Sequence, residues 1–426
     1  MVARSVRAVA VAFIVGLASL GTSTLAQVQF PTSLPADVLF NATTLQRIDL
    51  RLNSLDWEKL KQNFQTNDFY PADLVFNGET TYNVGIRSRG LGSRSATKPG
   101  IRVDINRYTD DQKFLGMSAL VLDNLTQDPS TIHETIAMKL FAKIGVPAPR
   151  EVHVRLYVNN QYAGLYVAVE EINKQFLARV YGSIGEDIQN DGGLFEFNYT
   201  DIWKFSYLGS DLDPYKTRFS RKTEENKPDQ DSFGPIETIV RLANDLPAAQ
   251  YLSVLGERLD WPAFMKYVAA QNYVAENDGF LGYAGMNNFY LYRLENTLKH
   301  QFIAWDEDNA FAFPDFSVTN RHDENVLMTK AMQVQELRDA YYNGLKAAMN
   351  AATEPTGSDQ LAWLESEIRR QTDLVNDAIR DDPNKPYTFD EFQNARVAML
   401  IFSQQRPGFV SQGLSAAGYS TSRVRP

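Results

Sequence analysis

The sequence predicts an α+β protein in two parts: a strand-rich lobe with one prominent helix, then a mostly helical lobe into which a hairpin is inserted. Three observations carry this. Between residues 41 and 172, short runs alternate apolar and polar residues and are broken by Asn-Gly and Asn-Asn pairs. From about Asp260, apolar residues recur at helical spacing, as in "LAWLESEIRRQTDLVNDAI". Within that second part, "NNFYLYRL" and "QFIAW" are strand-like runs joined by a turn.

Each element has its own reason. "QRIDLRLNSLDWEKL" alternates and then turns into a short helix. "ADLVFNGETTYNVGIRSRG" holds two extended runs around Asn77-Gly78, a strong hairpin signal. In "IRVDINRY", Ile101, Val103 and Ile105 share one face, with Arg102 and Asp104 on the other. "PSTIHETIAMKLFAKIGVPAPR" reads as a helix that Ser130 can cap. Its stripe is Ile132, Ile136, Leu140 and Ile144, and Gly145 with Pro147 ends it. "EVHVRLYVNNQYAGLYVAVEEI" is a second hairpin, turning at Asn159-Asn160, and "DWPAFMKYVAAQNYVAEN" is helical.

The ends are expected to lie outside this domain. Residues 1–26 have arginines, an apolar run and small residues closing on Ala26, the pattern of a cleaved signal peptide, so the chain is expected to be exported. A Pro-containing linker is expected over 27–40, the domain over 41–412 with its lobes meeting near 172, and a disordered tail over 413–426. No other segment is apolar and long enough to span a bilayer, so no membrane span is expected after cleavage.

Composition excludes several chemistries. With no cysteine there are no disulfides, thiolate metal sites or cysteine nucleophiles. A formal net charge of −10 argues against a nucleic-acid partner. The four histidines do not have the spacing of a zinc-binding helix.

The chemistry concentrates in "ENDGFLGYAGMNNFYLYRLENTLKHQFIAWDEDNAF". A hairpin here brings the residue before its first strand close to the residue after its second, so Asn288 and Asp306 become neighbours. An amide oxygen and a carboxylate, with Asp308 beside them, form a hard oxygen site suited to Mg²⁺ or Mn²⁺. Asp278, next to Gly279 at a helix end, can reach the same place. Taken singly, each motif also reads as a solvated turn.

The chain resembles the CotH kinase family over nearly the whole of residues 41–412. The resemblance rests on "RSRGLGSRS", "KPGIRVDINR", "LDNLTQDPSTIHETIAMKLFAKIGVPAPR", "VRLYVNNQYAGLYVAVEEI", the "NDGF" and "NNFYLYR" runs, and "FIAWDEDNAF". It implies an atypical protein-kinase-like fold of two lobes, ATP with Mg²⁺ or Mn²⁺, and a protein Ser/Thr acceptor. It also implies Asp278 as the catalytic-loop Asp, Asp306 as the phosphate-bridging metal ligand and Asn288 as the second-metal ligand, with Asp308 assisting. Glu134 is then the ion-pairing helix Glu, with Arg102 its expected partner. Arg87, Arg89 and Arg94 are candidate phosphate contacts, with a solvated basic turn the competing reading. Glu170 and Glu171 lie at the hinge and are expected to be structural.

Some positions depart from the family pattern. The step from Asp278 to Asn288 is longer than in ordinary kinases, and no Phe-Gly follows Asp306. "GGLFEF" stands where relatives read Leu-Tyr-Lys, which leaves Phe195 to stack on adenine and Glu196 in place of the Lys. His300 stands where relatives carry an aromatic residue, to flank the base or to cap the turn. Two other functions stay open: a non-catalytic surface scaffold or adhesion protein, and AMP transfer from a reversed nucleotide.

Overall fold

The computed structural model describes residues 28–29, 35–184 and 187–421. The signal peptide expected over 1–26 lies outside the described residues. After a two-residue strand β1 (Val28–Gln29), seven strands close into a barrel: β2 (Gln46–Arg51), β3 (Tyr70–Phe76), β4 (Glu79–Arg89), β5 (Gly100–Asp104), β6 (Ala119–Asp123), β7 (Glu151–Val158) and β8 (Gln161–Glu170). Their order is β2-β3-β4-β5-β6-β8-β7. Neighbours are antiparallel except β2 and β7, whose parallel pairing seals the barrel.

Both expected hairpins form. Asn77 and Gly78 have φ of 51° and 83°, and Asn159 and Asn160 have 50° and 66°. Positive φ at both central residues is what a tight type I′ turn between twisted strands requires. Ile48, Leu50, Leu74, Ile86, Val103 and Leu122 fill the barrel interior, so it is a packed core and not a channel.

Two helices pack on the barrel, α1 (Ser54–Gln62) and α2 (His133–Lys143). Ile132, Ile136 and Leu140 are buried as the stripe predicts, and Gly145 at φ 75° follows the helix. The N-terminus is organised differently from expectation. Asp128 takes the His133 N–H at 2.8 Å, while Ser130 only receives the Ile132 N–H at 3.3 Å.

The second part begins with α3 (Lys174–Tyr181), β9 (Ser183–Ile184) and β10 (Asp187–Ile188). Next come β11 (Gly193–Phe197), α4 (Asp213–Arg218), β12 (Phe219–Arg221), α5 (Asp229–Asp245) and α6 (Trp261–Tyr273). The inserted hairpin is β13 (Phe289–Arg293) and β14 (His300–Ala304), and it completes an antiparallel sheet in the order β12-β11-β13-β14. Then follow α7 (Val326–Ala331), α8 (Gln335–Ala352), the short pair β15 (Pro355–Thr356) and β16 (Leu361–Ala362), α9 (Trp363–Asp381) and α10 (Phe389–Ala416).

Two end boundaries differ from the sequence reading. The expected linker already contains a 3₁₀ turn, Pro35–Val38, because Ala36 and Leu39 join the barrel core. The helix α10 runs past 413, because Leu414 is fully buried and Tyr419 packs on Tyr342 with ring centroids 4.5 Å apart.

An apolar layer joins the barrel to the four-stranded sheet. Val121, Leu165, Val167 and Val169 meet Leu194, Tyr290, Ile303 and Trp305 there. The last two helices then return to the barrel. Lys98 and Asp382 form a buried ion pair at 2.8 Å, and Lys139 on α2 reaches Glu367 on α9 at 2.6 Å. Among the described residues no helix is long and apolar enough to cross a membrane.

Candidate functional site

The loop after α6 is held from below by one side chain. Arg406 on α10 is fully buried and gives hydrogen bonds to the carbonyls of Asn272 (2.7 Å), Tyr273 (2.9 Å), Pro314 (3.1 Å) and Phe316. Burial pulls its pKa down to about 10, which still leaves the guanidinium charged at neutral pH. The guanidinium thus caps the last carbonyls of α6, at Asn272 and Tyr273, and ties them to the chain at Pro314 and Phe316, which fixes where the following loop departs.

Gln271 does the same from the side. Its amide oxygen takes the Phe280 N–H at 3.1 Å and its NH₂ reaches Glu307 at 2.8 Å. Gly279 is required there, since a Cβ would sit 2.4 Å from the Gln271 amide nitrogen.

The hairpin closes the site as its spacing predicts. Phe289 pairs with Ala304, so the chain just before β13 lies beside the chain just after β14. Asn288 and Asp306 both have φ of 56°, a left-handed backbone costing about 1–3 kcal/mol at a non-glycine residue. The amides of Asn287 and Asn288 both donate to Asp278 Oδ2, at 3.0 and 3.4 Å. Burial raises the Asp278 pKa, and the Asn287 bond works against that.

The three consecutive acids point different ways. Asp306 is part-exposed, and its pKa rises to about 6. Burial is the first cause, opposed by Arg89 and reinforced by Asp123, Asp278 and Glu196. Glu307 is fully buried, bonded to Gln271 and pressed against Glu276. Asp308 accepts from Asn309 at 2.8 Å, and its carbonyl lies 2.9 Å from His133 Nδ1.

The barrel and α2 supply a second wall, in which Asp123 and Glu151 join the expected Glu134 and Arg89. Glu134 and the buried Glu151 adjoin each other, and burial first, with the fields of Asp123 and Asp306, raises both well above the carboxylate range. The charge of Glu151 raises Glu134 further, while a hydrogen bond with Glu134 works against the rise at Glu151. Arg89 is the cation set among these acids. It bonds Asp123 at 3.2 Å, and the fields of Asp123, Asp306, Glu134 and Glu196 outweigh its burial and raise its pKa.

Several expected contacts are not made. Arg102 pairs with the hinge Glu171 at 2.8 Å and with Asp104 at 3.2 Å, not with Glu134, because strand alternation turns it toward the end of β8. Arg94 spends its guanidinium on Gly90, Phe64, Thr66 and Asn67 and braces its own turn. Arg87 likewise bonds Asn67 and the Ser88 carbonyl. Phe195 is buried in the helical core against Phe233 at 5.4 Å, so its ring is not available to stack on a base. His300 sits at the far end of β14, about 20 Å along the strand from Asp306. There it caps Arg258 and Leu298, and burial lowers its pKa to about 4.

Other side chains fall where the reading left room. Glu170 is buried and shared by Arg150 and Arg179, a structural role. Glu196 forms an ion pair with Lys222 from β12's end. Asp123 had a visible signal: "LVLD" ends an apolar strand in a carboxylate just as "FIAWD" does.

The donor set can be tested for a divalent cation. Among the described residues, no three His, Cys, Asp or Glu side chains are arranged to hold a metal ion. The candidate pair here is one carboxylate and one amide, Asp306 and Asn288, which leaves positions for phosphate and water as Mg²⁺ prefers. Around it, Glu276 Oε2 and Glu307 Oε2 are buried without a hydrogen-bond partner, and Arg89 stands amid many carboxylates. The residues fit a hard cation.

These features define a metal-suited, acid-rich centre built on a helix-end loop and a hairpin. Residues 86–410, well over half of the chain, match the family described as CotH kinase protein, and the chain belongs to that family. It is 20% identical over 382 residues to the inner spore coat protein H of Bacillus subtilis, covering 88% of this chain and 99% of that protein. Among solved structures it aligns with the Helicobacter pylori proinflammatory kinase CtkA at 9% identity and a TM-score of 0.29, covering 75% of this chain and 95% of that one.

Proposed function

We propose that this protein is an exported phosphotransferase with a two-lobed, kinase-like architecture, moving the γ-phosphoryl group of ATP to a Ser or Thr hydroxyl of a protein. One observation carries the reading. The hairpin gathers Asp278, Asn288 and Asp306 at one place, in the order in which kinases use a base and two metal ligands. Family membership supports it, and the leader-like N-terminus supports export.

The chain's own residues then have distinct tasks. Asp278 has one oxygen held by Asn287 and Asn288, so its other oxygen is oriented to accept the acceptor's hydroxyl proton. Asp306 and Asn288 would hold Mg²⁺ or Mn²⁺, which neutralises phosphate charge when bound. Arg89 faces the same space and places a fixed cation near the phosphates. Glu134 helps set the field at Arg89 and does not pair with Arg102.

The test is calorimetry of ATP binding to the chain from Gln27, with and without Mn²⁺. Asp306→Ala is expected to abolish metal-dependent binding, whereas Asp278→Ala keeps binding and loses transfer. Equal ATP binding by wild type and Asp306→Ala overturns the assignment and favours a surface scaffold. The second reading is AMP transfer from a reversed nucleotide. The mass added to the acceptor separates the two.

A further inference from the structure

Behind the carboxylate turn, outside the groups assigned above, lies a cavity of about 480 Å³. Its walls come from His133 on α2, Phe311 beyond the acids, Tyr387 just before α10, and Glu391, Ala395 and Ala398 on its first turns. This volume falls within the ~300–1,000 Å³ typical of small-molecule sites, and apolar surface dominates its lining.

Glu391, exposed at the rim, is the one carboxylate of the lining. Among the described residues no lysine or arginine lines the cavity, and the ring of His133 faces Asp128 at 3.5 Å. Glu391 receives the backbone N–H and the hydroxyl of Thr388 at 2.7 and 2.8 Å in the capping box of α10, which favours its ionised form. Burial first, then the carboxylates of Asp128, Asp308 and Glu391, raises the pKa of the Tyr387 hydroxyl. The cavity also touches the proposed catalytic segment. The His133 ring lies 5.5 Å from that of Phe311, and its Nδ1 meets the Asp308 carbonyl.

We propose that this cavity is a ligand site of its own, taking a small organic cation, a protonated amine on an apolar body, whose arrival is felt at the carboxylate turn through His133. An apolar lining removes the body from water, and the Glu391 carboxylate at the rim, with no lysine or arginine beside it in the lining, selects an ammonium over a neutral or anionic group of the same shape.

Three probes with one indole body test this: tryptamine, tryptophol and indole-3-propionate, titrated by calorimetry into the chain from Gln27. Tryptamine is expected to bind saturably and at least about ten-fold tighter than the other two. Glu391→Gln keeps the cap's hydrogen bonding and removes the charge, so it weakens tryptamine several-fold. Ala398→Trp, at an exposed position of α10, fills the cavity and abolishes binding without loss of fold. In histidine-labelled protein, tryptamine shifts the ring resonances of His133 and leaves those of His153 in place. No saturable tryptamine binding, equal binding of all three probes, or undiminished binding to Ala398→Trp overturns the site, and an unmoved His133 overturns the link. Each readout is independent of phosphoryl transfer, so the site stands or falls separately from the proposed activity.

Discussion

Replacing Arg406 by Met tests how the loop after α6 is held. The substitution keeps most of the buried volume and removes five hydrogen bonds, four to backbone carbonyls and one to the Asn272 side chain. Hydrogen bonds from a charged donor contribute about 1.5–3 kcal/mol each, but the variant no longer carries the cost of burying a charge. Buried carbonyls left without donors cost about 1–3 kcal/mol apiece, with water reaching some of them. The balance is a loss of about 4–5 kcal/mol, at the exceptional end for a single substitution. Arg406→Lys keeps the charge and at most three donors, so it should fall between. Urea unfolding, compared by midpoint at constant slope, measures both. A loss below about 1 kcal/mol for Met, or a Met variant more stable than Lys, would refute the argument that these bonds outweigh the desolvation of the charge.

Other expectations follow from the same contacts. His322 is buried with neither ring nitrogen hydrogen-bonded, and burial lowers its pKa to about 4. Below pH 6.5 the unfolded chain takes a proton there that the folded one refuses, so the group's stability is lost as pH falls from 6.5 toward 4. The stability of wild type relative to His322→Phe should therefore drop by about 3 kcal/mol across that window in paired denaturant titrations, and a flat difference would contradict it. Lys98→Met leaves Asp382 buried and unpaired, so it should cost about 3–5 kcal/mol, while the double variant with Asp382→Asn costs less, as thermal unfolding would show. Arg89→Met should weaken metal-dependent ATP binding at least about ten-fold while Arg94→Met lowers thermal stability and spares it, because only Arg89 faces the carboxylates. Equal losses of affinity in the two would mean that the whole basic turn contacts phosphate.

What the sequence made legible was local. The pairs Asn77-Gly78 and Asn159-Asn160 specify their turns through backbone sterics alone, and Asn288 and Asp306 meet because a hairpin has a fixed register. Barrel closure was not legible. It depends on β2 pairing with β7 more than a hundred residues away, and no local pattern encodes that choice. The errors at the site follow from this one gap. With strands placed but not closed, Arg102 was the natural mate for Glu134, since both were known only to face the cleft. Closure carries β6 and the start of β7 behind α2, and so brings Asp123 and Glu151 to Glu134. It also leaves Arg102 beside Glu171 and makes Arg89 the cation at the acids. Phe195 differs for a related reason: composition at one position says nothing of which face of a four-stranded sheet the helices will cover. His300 takes the second of its two expected places and caps the turn. The site is thus assembled at two ranges. A local loop and hairpin supply the three residues proposed to act on nucleotide and acceptor, while a non-local barrel supplies the charge around them. Substitutions in the barrel wall should therefore change nucleotide affinity and its pH dependence without displacing the hairpin.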